Sequence, residues 1–507
     1  MIFTAPARRR SAAGTGPPWA SWTSAGAQAV AAALGGLSLL AISSGLVDLL
    51  GAGDDTTVFL LAGTLSGLAA AWLLVLIHPP DRVRDSHVLS GVAVALPLLV
   101  GLLAGLHLLV GSTTSVVDAL AEATAGLTTT ALGAIEPAGS DHGLRFLRAA
   151  TQWAGGLGAL FVGVAILPFF GAGREFGDRS RIHGRRPMTP TQRTALRNIL
   201  IVYGTASVAT WLAYAVAGLS IFDALLVAMA TVSTGGMVDG DPFARPAVQW
   251  VAVGGMVVAG TSLVVLWRLA VGRARGLWRS AELRIYLVLL VIGTVLFLLW
   301  TDGAGPEGVR HAAFTVTAAV TTTGFPSAPA GTWSAAAPVL LLGLVSIGPM
   351  TGSAGGGFQI LRHRALLQIA LREMVRQIHP RAVVRVRLGG RVAAEDTLAR
   401  VVVTQFLSVS VLFATALAVA VLGLDLVPAL GAAVHAVSTA GPVRALDGTV
   451  LDPSAWPAPA RLALLPAMVI GRLSIYPALV ALSSGAAVCR NRIRLARRIR
   501  SYRGRTL

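Results

Sequence analysis

Four stretches of this 507-residue chain carry groups suited to one kind of chemistry: "GLTTTALG" (126–133), "TVSTGG" (231–236), "AVTTTGF" (319–325) and "VSTAGP" (437–442). Each joins threonine or serine to glycine or alanine, with no carboxylate, imidazole or thiol inside it. Proton transfer and nucleophilic catalysis are therefore not what these residues offer. Glycine tolerates positive φ, which lets successive carbonyls face one way. Such carbonyls, with nearby hydroxyls, can replace the hydration shell of a small cation. One loop of this kind is an ordinary packed turn. Four of them ask what holds them and whether they meet.

The elements that would hold them are apolar. The chain is 54% hydrophobic and only 13% charged, with mean hydropathy +0.72; a soluble protein carries about twice that charged fraction. Runs near the length of a bilayer crossing predict spans at 27–50, 57–77, 88–110, 147–170, 196–219, 247–270, 283–300, 335–361, 399–423 and 460–487. The first follows Arg8, Arg9 and Arg10 and is too long for a signal-peptide core, so it reads as a retained span. After the spans ending near 110, 219, 300 and 423 come "SVVDALAEATAGL", "SIFDALLVAMATV", "EGVRHAAFTVTAAV" and "LVPALGAAVHAV". Each can enter a membrane but not cross it, each opens on helix-entry chemistry, and each runs into one of the four loops. The last eight spans thus read as four copies of span, re-entrant half-helix, polar loop, span. Irregular backbone at membrane depth survives only where protein or a water-filled cavity surrounds it. Four half-helices entering from one side would aim their partially negative carboxyl ends at a shared centre.

Charge supports this layering. With the amino terminus inside, the arginine-rich "GREFGDRSRIHGRRP", "RLAVGRARGLWRSAELR", "RHRALLQIALREMVRQIHPRAVVRVRLGGR" and the tail "CRNRIRLARRIRSYRGR" all fall on one side, as the positive-inside rule requires. Asp118, Glu122, Asp223, Asp239 and Asp447 fall on the other, where they would concentrate cations. The net charge of +18 is therefore a topology signal, not a nucleic-acid footprint. The tail and the 362–398 segment could also meet anionic lipid or an acidic partner. The lone Cys489 excludes an intrachain disulfide, and the nine histidines show no metal spacing.

The chain resembles the Trk/Ktr potassium-uptake family, specifically its Trk-type membrane subunit with two extra amino-terminal spans. "AGLTTTALGAI", "STGGM", "TTTGF" and "AGP" resemble its four filters in order. "QWAGGLGALFVGVAILP" (152–168) and "HPRAVVRVRLGGRVAAE" (379–395) resemble flanking segments. The resemblance implies potassium uptake, a homodimer with a pore in each protomer, and a separate cytoplasmic nucleotide-binding regulatory subunit. No Gly-x-Gly-x-x-Gly follows a predicted strand here, so any nucleotide site belongs to that partner. It implies no enzyme, no cofactor in this chain, and a multi-pass protein of the cytoplasmic membrane with both termini inside. The filter positions carried over are Thr129, Thr130, Thr234, Gly235, Thr323, Gly324, Ala440 and Gly441. The first filter's usual glycine falls on Ala131, whose methyl would oppose a left-handed backbone; serine there accompanies sodium permeation in the family.

"GPMTGSAGGGFQILR" (348–362) holds too many glycines for a stable helix. It resembles the family's intramembrane gate, with Gly348, Gly352, Ser353, Gly355, Gly356 and Gly357, while Pro349, Met350 and Gln359 depart from the pattern. A tight helix crossing at small residues is the alternative. Arg472, deep in the final span, resembles the family's arginine facing that loop; "GRLSI" puts Ser474 where a carboxylate is usual. A structural arginine capped by carbonyls is the alternative there. The expected division is an arm with two spans (1–86), repeat 1 (87–170), an inner loop with repeat 2 (171–275), repeat 3 with the gate (276–365), an inner linker with repeat 4 (366–488) and the tail (489–507). Two readings stand beside potassium uptake: a sodium-permeable or weakly selective transporter, and a membrane scaffold or sensor whose filter has drifted.

Overall fold

The computed structural model describes residues 18–76, 85–135, 141–163, 192–273, 277–301, 305–326, 333–388 and 391–473. The arginines at 8–10, the 171–191 loop, Ser474, Cys489 and the basic tail lie outside them. Among the described residues the protein is helical apart from one two-residue antiparallel ribbon in the inner linker, β1 (Arg387–Leu388) with β2 (Arg391–Val392), and two isolated bridges, Thr301 with Trp333 and Arg444 with Val450. Long apolar helices are α1 (Pro18–Leu50), α2 (Thr56–Leu76), α3 (Asp85–Leu109), α5 (His142–Phe161), α6 (Gln192–Val216), α10 (Ala281–Leu299) and α14 (Glu395–Val421). Among the described residues, five helices are long and apolar enough to cross a membrane, or six counting one bent pair. Their outer faces stay apolar. On α14, Phe406, Phe413 and Leu417 are exposed, which suits a lipid solvent rather than water.

Short helices lie between the long ones: α4 (Val116–Thr128), α7 (Ile221–Ser233), α11 (Pro306–Val320) and α15 (Leu426–Ser438). At about 1.5 Å per residue none could cross a bilayer. Their starts are written in the sequence. Ser115 and Ser220 accept from the backbone N–H of Asp118 and Asp223, each three residues on, satisfying amides that the first turn leaves free. The helices are followed by α5, by α8 (Pro246–Ala259) with α9 (Leu263–Ala270), by α12 (Ala336–Ile347), and by α16 (Ala458–Leu473). α1 and α2 pack on each other and on α3 and α5, beside the rest of the bundle.

One expected span is corrected, and a second is interrupted where its glycines place the break. The stretch 247–270 is not one helix: α8 and α9 meet at a 103° bend. Gly260 and Ser262 break the turn, and the freed carbonyls of Ala259 and Gly260 accept from the N–H groups of Ala354 and Met350. The stretch 335–361 is likewise interrupted. α12 stops at Gly348, whose φ is +72°, and helix resumes only in α13 (Ile360–Ile378). The segment between them lies against the α8–α9 bend, so each break supplies the partners that the other lacks.

Candidate functional site: a ring of four loops

Each short helix ends on a threonine in the left-handed conformation: Thr129 (φ 53°), Thr234 (55°), Thr322 (59°) and Thr439 (46°). Glycine is usual at such a helix end. Threonine there costs about 1 kcal/mol, and strain held four times over marks a site where shape matters more than ease. The turns are closed as expected for this cap. Thr130, Gly235 and Ala440 each donate their N–H to a carbonyl five residues back, at 2.8, 2.8 and 2.9 Å. In the third loop Gly324 reaches Ala318 at 3.0 Å instead.

This geometry sets a common register. The first position is Thr129, Thr234, Thr322 and Thr439; the second is Thr130, Gly235, Thr323 and Ala440; the third is Ala131, Gly236, Gly324 and Gly441. The sequence-derived set takes the first and second positions in loops one and two, with Ala131, but the second and third in loops three and four, so it leaves out Thr322, Thr439 and Gly236. The signal was the helix ending: the strained threonine directly follows the last helical residue in loops one, two and four, and in loop three Thr321 stands between them. Ala131 avoids the left-handed backbone that its methyl opposes: its φ is not positive. Leu132 donates instead to the Thr130 carbonyl at 2.7 Å, a three-residue turn centred on Ala131. Gly236 (φ +73°) and Gly324 (φ +70°) use the freedom that Ala131 lacks.

The loops meet. A Cβ placed on Gly236 would lie 3.1 Å from that of Ala131 and press on the Thr323 carbonyl. One placed on Gly324 would strike the backbone of Gly441, and one on Gly441 would lie 2.7 Å from the Ala131 Cα. Loop one thus touches two and four, and loop three touches two and four: the ring is closed. Its first two positions are buried throughout: Gly235 is buried, and Thr129, Thr130, Thr234, Thr322, Thr323, Thr439 and Ala440 are all 0% exposed. The hydroxyls of Thr129 and Thr439 have no hydrogen-bond partner in the protein, nor does that of Ser438. Buried hydroxyls left this way are costly unless something else satisfies them. Four helix carboxyl ends, each with partial negative charge, point into the same ring. Dehydrated cation oxygen-coordination is the chemistry this arrangement suits.

Beneath the ring runs the glycine-rich segment. Gly356 donates its N–H to the Thr322 hydroxyl at 2.9 Å, Gly357 to the Ser438 carbonyl at 2.9 Å, and the Thr234 hydroxyl reaches the Ala354 carbonyl at 3.3 Å. Gly348, Gly352 and Gly357 all have positive φ, and Ser353 turns its hydroxyl onto the Met350 carbonyl at 2.6 Å. A side chain on Gly355 would lie 2.7 Å from the Thr321 carbonyl. The α10 carboxylate of Glu282 takes the Thr351 N–H at 2.7 Å. Arg472 on α16 donates to the Ala354 carbonyl at 2.9 Å, while its Nε and Nη2 are buried without partners. The segment and the arginine that the sequence singled out are therefore in contact, directly under three of the four loops.

Behind the ring, arginines occupy the seams. Arg145 pairs with Asp223 at 2.6 Å, Arg148 with Glu122 at 2.6 Å and with Asp239 at 2.8 Å, and Arg461 with Asp118. Arg310 reaches Gln249 at 2.9 Å. The acidic residues expected to form an attracting field are thus, at Asp118, Glu122, Asp223 and Asp239, tied into ion pairs. Gln152 clamps loop two by donating to the Met237 carbonyl at 3.0 Å and accepting its N–H at 3.1 Å.

The sequence profile of the family described as "TrkH: Cation transport protein" matches residues 86–488. The Trk system potassium uptake protein TrkH of Halomonas elongata is 31% identical over 419 residues, covering 79% of this chain and 85% of its own. That of Escherichia coli strain K12 is 30% identical over 387 residues, covering 72% and 78%. The crystal structure of the potassium transporter TrkH from Vibrio parahaemolyticus has the same fold, with TM-score 0.83 at 23% identity over 91% of this chain and 98% of that one.

Proposed function

The chain belongs to the TrkH family of cation transport proteins, and from that premise we propose that it takes up potassium through the ring of four loops. The observation that carries the reading is the closed ring itself, with its strained threonines and its buried, unpartnered hydroxyls. The third-position carbonyls and the hydroxyls of Thr129 and Thr439 replace water around the ion, and the four helix ends offset its charge. Coupling to a second ion is not required by energetics. An inside-negative membrane contributes about 2.3 kcal/mol per charge per 100 mV.

The glycine-rich segment is the gate. It blocks the path under the ring while Thr234, Thr322 and Ser438 hold it, and Arg472 latches it through Ala354. Opening requires those few hydrogen bonds to be exchanged, which several glycines with positive φ permit. The protein works as a homodimer in the cytoplasmic membrane, arginine-rich segments inside, with a cytoplasmic nucleotide-binding subunit setting the gate. Weak discrimination against sodium is the second reading, and the departure at Ala131 favours it.

Tracer rubidium uptake into vesicles holding the purified full chain, with and without external sodium, tests the proposal. Saturable rubidium entry driven by an inside-negative potential is expected. Absence of any alkali-cation entry with correctly inserted protein would sink it.

A further inference from the structure

The first loop lacks the left-handed glycine that loops two and three use, yet it closes the same ring. Something else must hold its shape. Behind it, side chains alternate in charge: Glu122 on α4, Arg148 on α5, Asp239 after loop two, then Arg145 and Asp223. Glu122 is 3% exposed, and its second oxygen accepts the N–H of Ile135, four residues past Ala131, at 3.3 Å. A Cβ on the intervening Gly133 would lie 3.0 Å from the Glu122 carboxyl carbon. The carboxylate therefore fills the space under the exit of loop one. Arg148, 13% exposed, joins that carboxylate to Asp239 on the exit of loop two. The neighbouring seams hold single contacts, Arg461 with Asp118 and Arg310 with Gln249, at the outer starts of helices rather than at loop exits.

We propose that the Glu122–Arg148–Asp239 bridge is a positioning element that substitutes for glycine at Ala131, fixing the first loop's carbonyls from behind and so setting the ring's choice among alkali cations. The inference rests on the transport reading above and goes beyond it. In loops two and three, free φ at glycine lets the backbone choose its carbonyl direction. In loop one the tight turn at Ala131 leaves the carbonyl direction dependent on where the chain is pinned downstream. That pin is Ile135 on Glu122, and Arg148 makes its position common to loops one and two. Two carboxylates on one guanidinium also leave net negative charge beside the ring, which favours a cation of either size. Selectivity, unlike attraction, must come from the geometry.

The test is the ratio of rubidium to sodium uptake by the full chain in vesicles, with thermal unfolding measured in parallel. E122Q/R148Q/D239N removes all three charges and leaves no buried carboxylate unpaired. It should lower the ratio about tenfold, one decade in relative affinity, and by clearly less in an A131G background, where glycine restores free φ. R148K, which keeps the charge but cannot fork to both carboxylates, should fall between. It serves as the test if the triple variant does not insert. Neutralising the Arg461–Asp118 pair should shift stability without the ratio. An unchanged ratio in the triple variant or in R148K, or an equal loss with alanine and with glycine at 131, overturns the proposal. Wild-type vesicles admitting no alkali cation would remove the transport reading and this inference with it; a discriminating wild type with unaffected variants removes only the inference.

Discussion

Replacing Gly324 by alanine isolates what the closed ring requires. Gly324 has φ +70°, and an added methyl would overlap the Gly441 carbonyl and sit 2.9 Å from the Gly441 nitrogen. Left-handed alanine costs about 1 kcal/mol, and forcing a methyl into a filled site adds roughly 1–3, so about 2–4 kcal/mol must be absorbed. The ring can keep its shape and lose that stability, or it can push Gly441 outward and lose ion coordination. If about 2.8 kcal/mol of the strain is relieved by the second route, ion occupancy falls about a hundredfold. Two controls separate the components. Gly111 has φ +74° with nothing within 4 Å of an added Cβ, so G111A should lose about 1 kcal/mol of stability and no uptake. Gly343 in α12 has neither a positive φ nor a neighbour, so G343A should gain roughly 0.5–1 kcal/mol. Rubidium uptake at matched protein density and unfolding midpoints in detergent report the two effects. A G324A protein with wild-type uptake and ion preference would show that the ring is not the path.

The remaining expectations concern the hydroxyls, a seam and the latch. The Thr439 hydroxyl has no protein partner, so T439V should leave stability within ~0.5 kcal/mol while lowering rubidium uptake; a large stability loss would mean the hydroxyl is satisfied within the protein. Arg461 and Asp118 are 12% and 21% exposed, and breaking such a pair by R461A should cost about 3 kcal/mol or more, with the double variant R461A/D118A recovering part of it. Strict additivity in unfolding measurements would refute the pairing. R472Q removes the charged donor to Ala354, and vesicles without any partner should then admit rubidium several-fold faster; unchanged flux would count against the latch.

Much of this was legible in the sequence because membrane burial imposes strong patterns. The four short helices fall within a residue or two of "SVVDALAEATAGL" and its three counterparts, since apolar runs too short to cross bound all four and serine caps start the first two. The glycine-rich interruption at 348–357 was equally plain. Register was not. The strained residue in loops three and four is Thr322 and Thr439, and sequence alone pointed one residue later, because composition favours glycine as the left-handed residue while the fold gives that role to threonine. The α8–α9 bend was also hidden. Residues 247–270 are mostly apolar, with only Thr261 and Ser262 at the break, and the segment from Met350 to Ala354, distant in sequence, supplies the donors that make breaking the helix tolerable.

That dependence has a mechanical consequence. The backbone groups freed at the α8–α9 bend are satisfied by the same segment whose other edge bonds to Thr322 and Ser438 beneath the ring. The segment cannot leave without exposing the carbonyls of Ala259 and Gly260, which water must then satisfy. If the segment gates the path as proposed, opening would carry its own wetting step, hydration of the bend accompanying withdrawal from the ring. Such a gate would close tightly when dry and be easier to hold open once water had entered, giving discrete rather than graded states. The latch at Arg472 sits where it can bias that choice, since its one satisfied donor bonds to Ala354, the residue whose N–H caps the bend and whose carbonyl takes the Thr234 hydroxyl.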